Sequence, residues 1–138
     1  MKVVDVAQRS FQQISEHPGW VSHDPNAIYE SVTTCLDEIS QRNNLSKENV
    51  ISVGITNQRE TTVAYDRSTG EPLHNALVWM DGRTDEVVKK IKDTKMGGDV
   101  NLFREHCGLP INTYFSAVKM RWLLENSAAV KAAAESAT

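Results

Sequence analysis

Two strand-like runs enclosing a short, densely polar link constrain this chain more than any other stretch. From Val50 to Thr56 the branched residues Ile51, Val53 and Ile55 alternate with Val50, Ser52, Gly54 and Thr56. That period of two sends alternate side chains to opposite faces of a strand. Thr61 to Tyr65 is again β-branched or aromatic, so a second strand is expected there. The link, Asn57-Gln58-Arg59-Glu60, is poor turn chemistry, because the favoured two-residue hairpin turns use Asn-Gly or Gly-X to reach positive φ. Arg59 offers a fork of N–H donors, Glu60 only accepts, and Asn57 and Gln58 do both, a set suited to vicinal hydroxyls on a small polyol. An Arg59–Glu60 surface ion pair at a strand end explains the same residues on local chemistry alone.

Composition narrows the field by exclusion. A length of 138 residues fits one domain with a modest core, and 40% hydrophobic with 24% charged residues is ordinary for a globular protein. The apolar runs are far too short to span a bilayer. A net charge of −3, with basic residues scattered among acidic ones, leaves no footprint for nucleic acid or anionic lipid. Cys35 and Cys107 are too few and too isolated for a disulfide framework or a zinc site, and both are expected as reduced core residues. The opening Met1-Lys2-Val3-Val4-Asp5-Val6 lacks the pattern of a signal peptide, so a cytoplasmic address is expected.

Along the chain, Val3 to Phe11 reads as a strand and Glu16-His17-Pro18-Gly19-Trp20 as a turn. Asp24 before Pro25 makes a good helix start, and Ile28, Val32, Leu36 and Ile39 then recur at helical spacing, as in a helix covering a sheet. His23 reads as a cap-associated residue. Gln41 to Lys47 ends that helix. Gly54 within its strand suggests close approach of another backbone or a ligand, or a bulge. Asp66 to Pro72 reads as a turn and Ala76 to Trp79 as a further short strand. Thr84 to Lys95 is expected as a helix capped by Thr84, with Val87, Val88 and Ile91 inward and a Glu86–Lys90 pair. Asp99 to Cys107 is expected as a short helix closed by Gly108. A further helix runs from Asn112 or Thr113 with Phe115, Val118, Trp122 and Leu123 on one apolar face, and Ala128 to Ala137 is helix-prone with little to dock it. Gly97-Gly98 lacks the spacing of a phosphate loop. Strand, helix, strand in that order indicates an α/β chain.

The longer string gives the polar link a context. Asn57-Gln58-Arg59-Glu60-Thr61-Thr62, Thr69-Gly70-Glu71-Pro72-Leu73, Asn75-Ala76-Leu77-Val78-Trp79 and Arg83-Thr84 resemble the glycerol kinases of the FGGY carbohydrate kinase family. The resemblance begins at Pro18-Gly19-Trp20-Val21 with His23-Asp24-Pro25 and ends at Cys107-Gly108-Leu109-Pro110 with Thr113-Tyr114-Phe115-Ser116-Ala117-Val118-Lys119. It implies an actin-like or ribonuclease-H-like ATPase domain, with residues 1–138 forming part of the FGGY N-terminal domain without its first two strands. It implies ATP-dependent phosphorylation of glycerol to glycerol 3-phosphate. Arg59 and Glu60 would hold the hydroxyls of glycerol, Trp79 would wall its carbon chain, and Tyr114 would add a hydroxyl contact.

The resemblance also implies ATP and Mg²⁺, whose binding residues, like the catalytic base, have no counterpart in this sequence. The expected site set is therefore substrate-binding alone, with no catalytic, cofactor-binding or metal residue. The chain by itself is expected to be inactive, as a fragment, a truncated gene model or a shortened form. The alternative is a non-catalytic polyol-binding or interaction module derived from such a kinase. Expected partners are glycerol and, in a full-length protein, a second copy of the chain.

Overall fold

The backbone of Leu77 is the hub of the strand layer. In the computed structural model, which describes residues 2–136, β1 (Ser22–His23) pairs antiparallel with β2 (Ala76–Leu77), Ser22 opposite Leu77 and His23 opposite Ala76. On the far side of β2, Thr62 and Leu77 exchange both backbone hydrogen bonds at 2.9 Å. On the far side of β1, Ile14 and Ser22 exchange theirs at 2.8 and 2.9 Å. The Asp66 to Pro72 turn folds back as expected. The Asp66 carboxylate accepts from the Ser68 and Thr69 amides, and Gly70 takes a φ of 79°, a conformation that favours glycine.

Helix α1 (Pro25–Asn43) starts where the sequence places it. Asp24 accepts from the Asn26 amide at 2.9 Å and Pro25 occupies the first turn, while Asn44 closes the helix with a φ of 49°. Helix α2 (Asp85–Lys95) buries Val87 and Val88, and α3 (Arg104–Cys107) is one turn closed by Gly108 at φ 80°. Helices α4 (Ser116–Asn126) and α5 (Ala128–Ser136) are joined through Ser127, whose extended backbone ends α4. Leu77, Leu123 and Val130 make one buried cluster, and Val87, Val88 and Val118 make another. Trp122 packs against both, joining the strand layer to the helices.

Several expectations are corrected. Neither Val3–Phe11 nor Val50–Thr56 forms a strand. Ile51, Val53 and Ile55 are 99%, 74% and 92% exposed, and no described strand pairs with either segment. Alternation is a property of side chains, whereas a strand exists through its ladder. Gly54 has no neighbour where a Cβ would stand, so close approach does not explain it. The apolar stripe of α1 covers no sheet: Val32 and Leu36 are about half exposed and the helix buries no residue. Residues 5–9 instead run beside it through polar ties, Arg42 and Asn43 to Asp5, Arg42 to the Val6 carbonyl, and Arg9 to Glu38.

Cys35 is half-buried and Cys107 exposed, so neither belongs to the core. His23 is a buried strand residue, edge-on to Phe11 at 4.9 Å. Lys89, one residue before the expected partner Lys90, pairs with Asp85 and Glu86. The helix expected from Asp99 is a run of turns until Arg104, and α4 begins at Ser116 rather than Asn112. Helix α5 docks after all, through Val130. Ala137, included in the expected helix, lies outside the described residues, as does Met1 of the opening segment.

Candidate functional site

Residues 58 to 61 form a tight turn, closed by the Thr61 amide on the Gln58 carbonyl at 3.2 Å, with Arg59 and Glu60 at its corner. Glu60 takes a φ of 63°, which costs a residue with a Cβ roughly 1–2 kcal/mol. The Thr61 hydroxyl then ties the turn to the end of β2. It accepts from the Trp79 amide and donates to Gln58 Oε1, both at 3.2 Å. One side-chain oxygen thus sets the polar link against the indole.

Opposite stands the segment before α4. Asn112 Oδ1 accepts from the Tyr114 amide at 3.1 Å, and the Tyr114 ring meets Trp79 edge to face, centroids 6.4 Å apart at 72°. Asn57, Gln58, Arg59, Trp79 and Tyr114 line one open pocket of about 300 Å³. A guanidinium, two amides and a phenol around a half-exposed indole offer donors and acceptors to hydroxyl groups and a flat apolar wall to C–H edges.

Three of the four expected binding residues, Arg59, Trp79 and Tyr114, therefore meet. Glu60 does not join them. Its Oε2 accepts from the Ser116 amide at 2.6 Å and the Ser116 hydroxyl at 2.8 Å, and its side chain borders a separate, mainly apolar groove of about 440 Å³ with Phe103, Phe115 and Val118. Phe115, at the N-cap of α4, supplies no side-chain cap, so Glu60 serves the first turn in its place and sits at the positive end of the helix dipole. The two Ser116 bonds hold the Glu60 carboxyl below its usual range.

Behind the pocket lies a buried polar layer. Asp81 and Arg83 form a buried ion pair, with the Arg83 Nε–H shared between the two carboxylate oxygens at 2.9 and 3.0 Å and Nη2 2.9 Å from Oδ2, and Asp81 also accepts from the Val21 amide at 2.5 Å. The Arg83 guanidinium lies 4.2 Å from the Trp20 ring centre and 5.1 Å from that of Trp122, beside two indoles that themselves meet edge to face at 5.6 Å. Lys119, with no exposed surface, reaches the carbonyls of Thr113 and Tyr114. Burial pushes its amine down, while Glu60 and Asp81 act in the opposite direction.

Reading residue types along the sequence missed Thr61, Ser116 and Lys119 as parts of this site. For Lys119 a signal existed, since a lysine stands on the helical face marked by Phe115, Val118, Trp122 and Leu123. A cation on an apolar stripe needs a partner.

Comparison with known proteins agrees with the fold and covers the whole chain. The profile of the FGGY family of carbohydrate kinases, N-terminal domain, matches residues 1–138. A glycerol kinase of Acidiphilium cryptum is 48% identical over 133 residues, covering 96% of this chain and 26% of that protein. A glycerol kinase of Rhizorhabdus wittichii is 47% identical over 134 residues, covering 97% of this chain and 26% of that protein. The crystal structure of Plasmodium falciparum glycerol kinase with ADP superposes with a TM-score of 0.73 at 34% identity, over 98% of this chain and 26% of that one. Xylulose kinase from Rhodospirillum rubrum superposes with a TM-score of 0.81 at 24% identity, over 96% of this chain and 27% of that one, a likeness of fold. The chain spans about a quarter of the length of the curated relatives it matches.

Proposed function

The chain belongs to the FGGY family of carbohydrate kinases, and on that premise we propose that it forms part of a glycerol kinase. Such an enzyme moves the γ-phosphoryl group of ATP to a terminal hydroxyl of glycerol, giving glycerol 3-phosphate. Residues 1–138 would be part of the N-terminal domain and carry half of the glycerol site. The observation that carries this reading is the pocket in which Arg59, Trp79 and Tyr114 converge, flanked by the Asn57 and Gln58 amides. Arg59 and Tyr114 would bond the hydroxyls and Trp79 would cover the carbon chain. For Glu60 to bind glycerol as well, its carboxylate would have to turn from Ser116 and the neighbouring groove toward the pocket.

ATP and Mg²⁺ are proposed as partners held by other residues. Among the described residues there is no group of three or more His, Cys, Asp and Glu side chains placed to hold a metal ion. A cytoplasmic address and self-association of the complete protein belong to the same proposal. Among the described residues no helix is long and apolar enough to cross a membrane.

The test is ADP release from ATP by the complete polypeptide carrying this sequence, with glycerol, xylulose and gluconate as competing acceptors. Glycerol should be preferred by at least a hundredfold in kcat/KM. Preference for either sugar acceptor would overturn the assignment, and glycerol binding without turnover would favour a non-catalytic polyol-binding module.

A further inference from the structure

We propose that Lys119 is a positioning residue for the polyol pocket, fixing Tyr114 against the Arg59 and Trp79 side. The inference rests on the glycerol-site reading above. Lys119 has no exposed surface, yet it lies on a helix face otherwise given to packing. Its Nζ donates to the Thr113 carbonyl at 3.1 Å and the Tyr114 carbonyl at 2.5 Å, and lies 5.9 Å from the Tyr114 ring centre.

The Thr113 carbonyl also accepts from the buried Thr84 hydroxyl at 3.5 Å. With Asn112 holding the Tyr114 amide at 3.1 Å, the main chain of Tyr114 is bound on both sides. The phenol therefore has a fixed base from which to face Trp79. A buried ammonium satisfied by carbonyls alone would be costly, since charge in a low-dielectric interior needs countercharge. Glu60 and Asp81 supply it.

Those two carboxylates belong to the other segments that build the pocket. Glu60 adjoins Arg59 in the polar turn, and Asp81 lies two residues beyond Trp79. Lys119 thus bonds the approach to α4 directly and feels the charge of carboxylates carried by the other two segments.

The test replaces Lys119 in the complete polypeptide by Met, which keeps length and apolar stem but removes the donors. Two readouts are used: steady-state kinetics, and the fluorine resonance of 3-fluorotyrosine at position 114, assigned by its loss in Tyr114→Phe. The expected result for Lys119→Met is a glycerol KM raised tenfold or more, kcat within threefold, an ATP KM within twofold, and a broadened or shifted Tyr114 line. An unchanged glycerol KM with an unchanged Tyr114 line would overturn the proposal. So would a loss confined to kcat in proportion to the folded fraction. Should Lys119→Met not fold, Lys119→Gln is read by the same criteria, and failure of both to fold assigns Lys119 to the core and overturns the positioning role. If the parent does not phosphorylate glycerol, the glycerol reading fails by itself, and the fluorine line still decides whether Lys119 fixes Tyr114.

Discussion

The Glu60 carboxylate caps α4 from 56 residues away, its Oε2 accepting from the Ser116 amide at 2.6 Å and the Ser116 hydroxyl at 2.8 Å. This pair joins the turn that carries Arg59 to the helix whose approach carries Tyr114. The left-handed backbone of Glu60 fits the same picture, since the contact holds the residue in a conformation it would not otherwise favour.

Acid should weaken this link. A carboxyl whose folded pKa lies below its ordinary 4.5 stabilises the fold above that value and loses the contribution as the pH falls through the folded value. The two Ser116 bonds set that direction for Glu60, with burial opposing them. Thermal melts of the parent should fall on acidification below about pH 4.5 more steeply than those of Glu60→Gln, whose amide cannot ionise. Parallel curves for the two proteins would remove Glu60 from the account of acid stability.

Leu77 should be the most sensitive apolar position of the strand layer. It is 0% exposed and packs against Leu123 and Val130. Leu77→Ala should destabilise the fold by about 2–5 kcal/mol in urea unfolding, the range for a buried leucine that leaves a cavity. Ile51→Ala, at a side chain 99% exposed in this structure, should change stability by less than about 0.5 kcal/mol.

The Asp81–Arg83 pair should be unforgiving in a different way. Both side chains are almost fully buried, and the guanidinium lies against the edge-to-face pair of Trp20 and Trp122. Asp81→Asn leaves a buried cation without its countercharge and should cost about 3–5 kcal/mol by urea unfolding. Arg83→Lys keeps the charge but loses the fork and its contact with the indoles, so near-ultraviolet circular dichroism should show altered tryptophan signals.

Legibility in the sequence followed the reach of the interaction. Asp24-Pro25, Gly108, and Val87 with Val88 were readable because caps and helix faces depend on residues a few positions apart. Val50–Thr56 was misread because its alternation is written in the chain while a ladder partner is not. The resemblance named Arg59, Glu60, Trp79 and Tyr114, of which all but Glu60 line one pocket, whereas the supports Thr61 and Ser116 act across 18 and 56 residues through ordinary hydroxyls. Nothing local distinguishes such a hydroxyl from a solvated one.

Calorimetric titration of glycerol into the complete polypeptide, parent against Arg59→Ala, tests the polyol pocket most directly. Loss of charge-assisted hydrogen bonds to a hydroxyl, worth about 1.5–3 kcal/mol, should raise the glycerol Kd between about ten- and a hundredfold while ATP affinity stays within about twofold. Equal glycerol affinity in the two proteins would contradict the site.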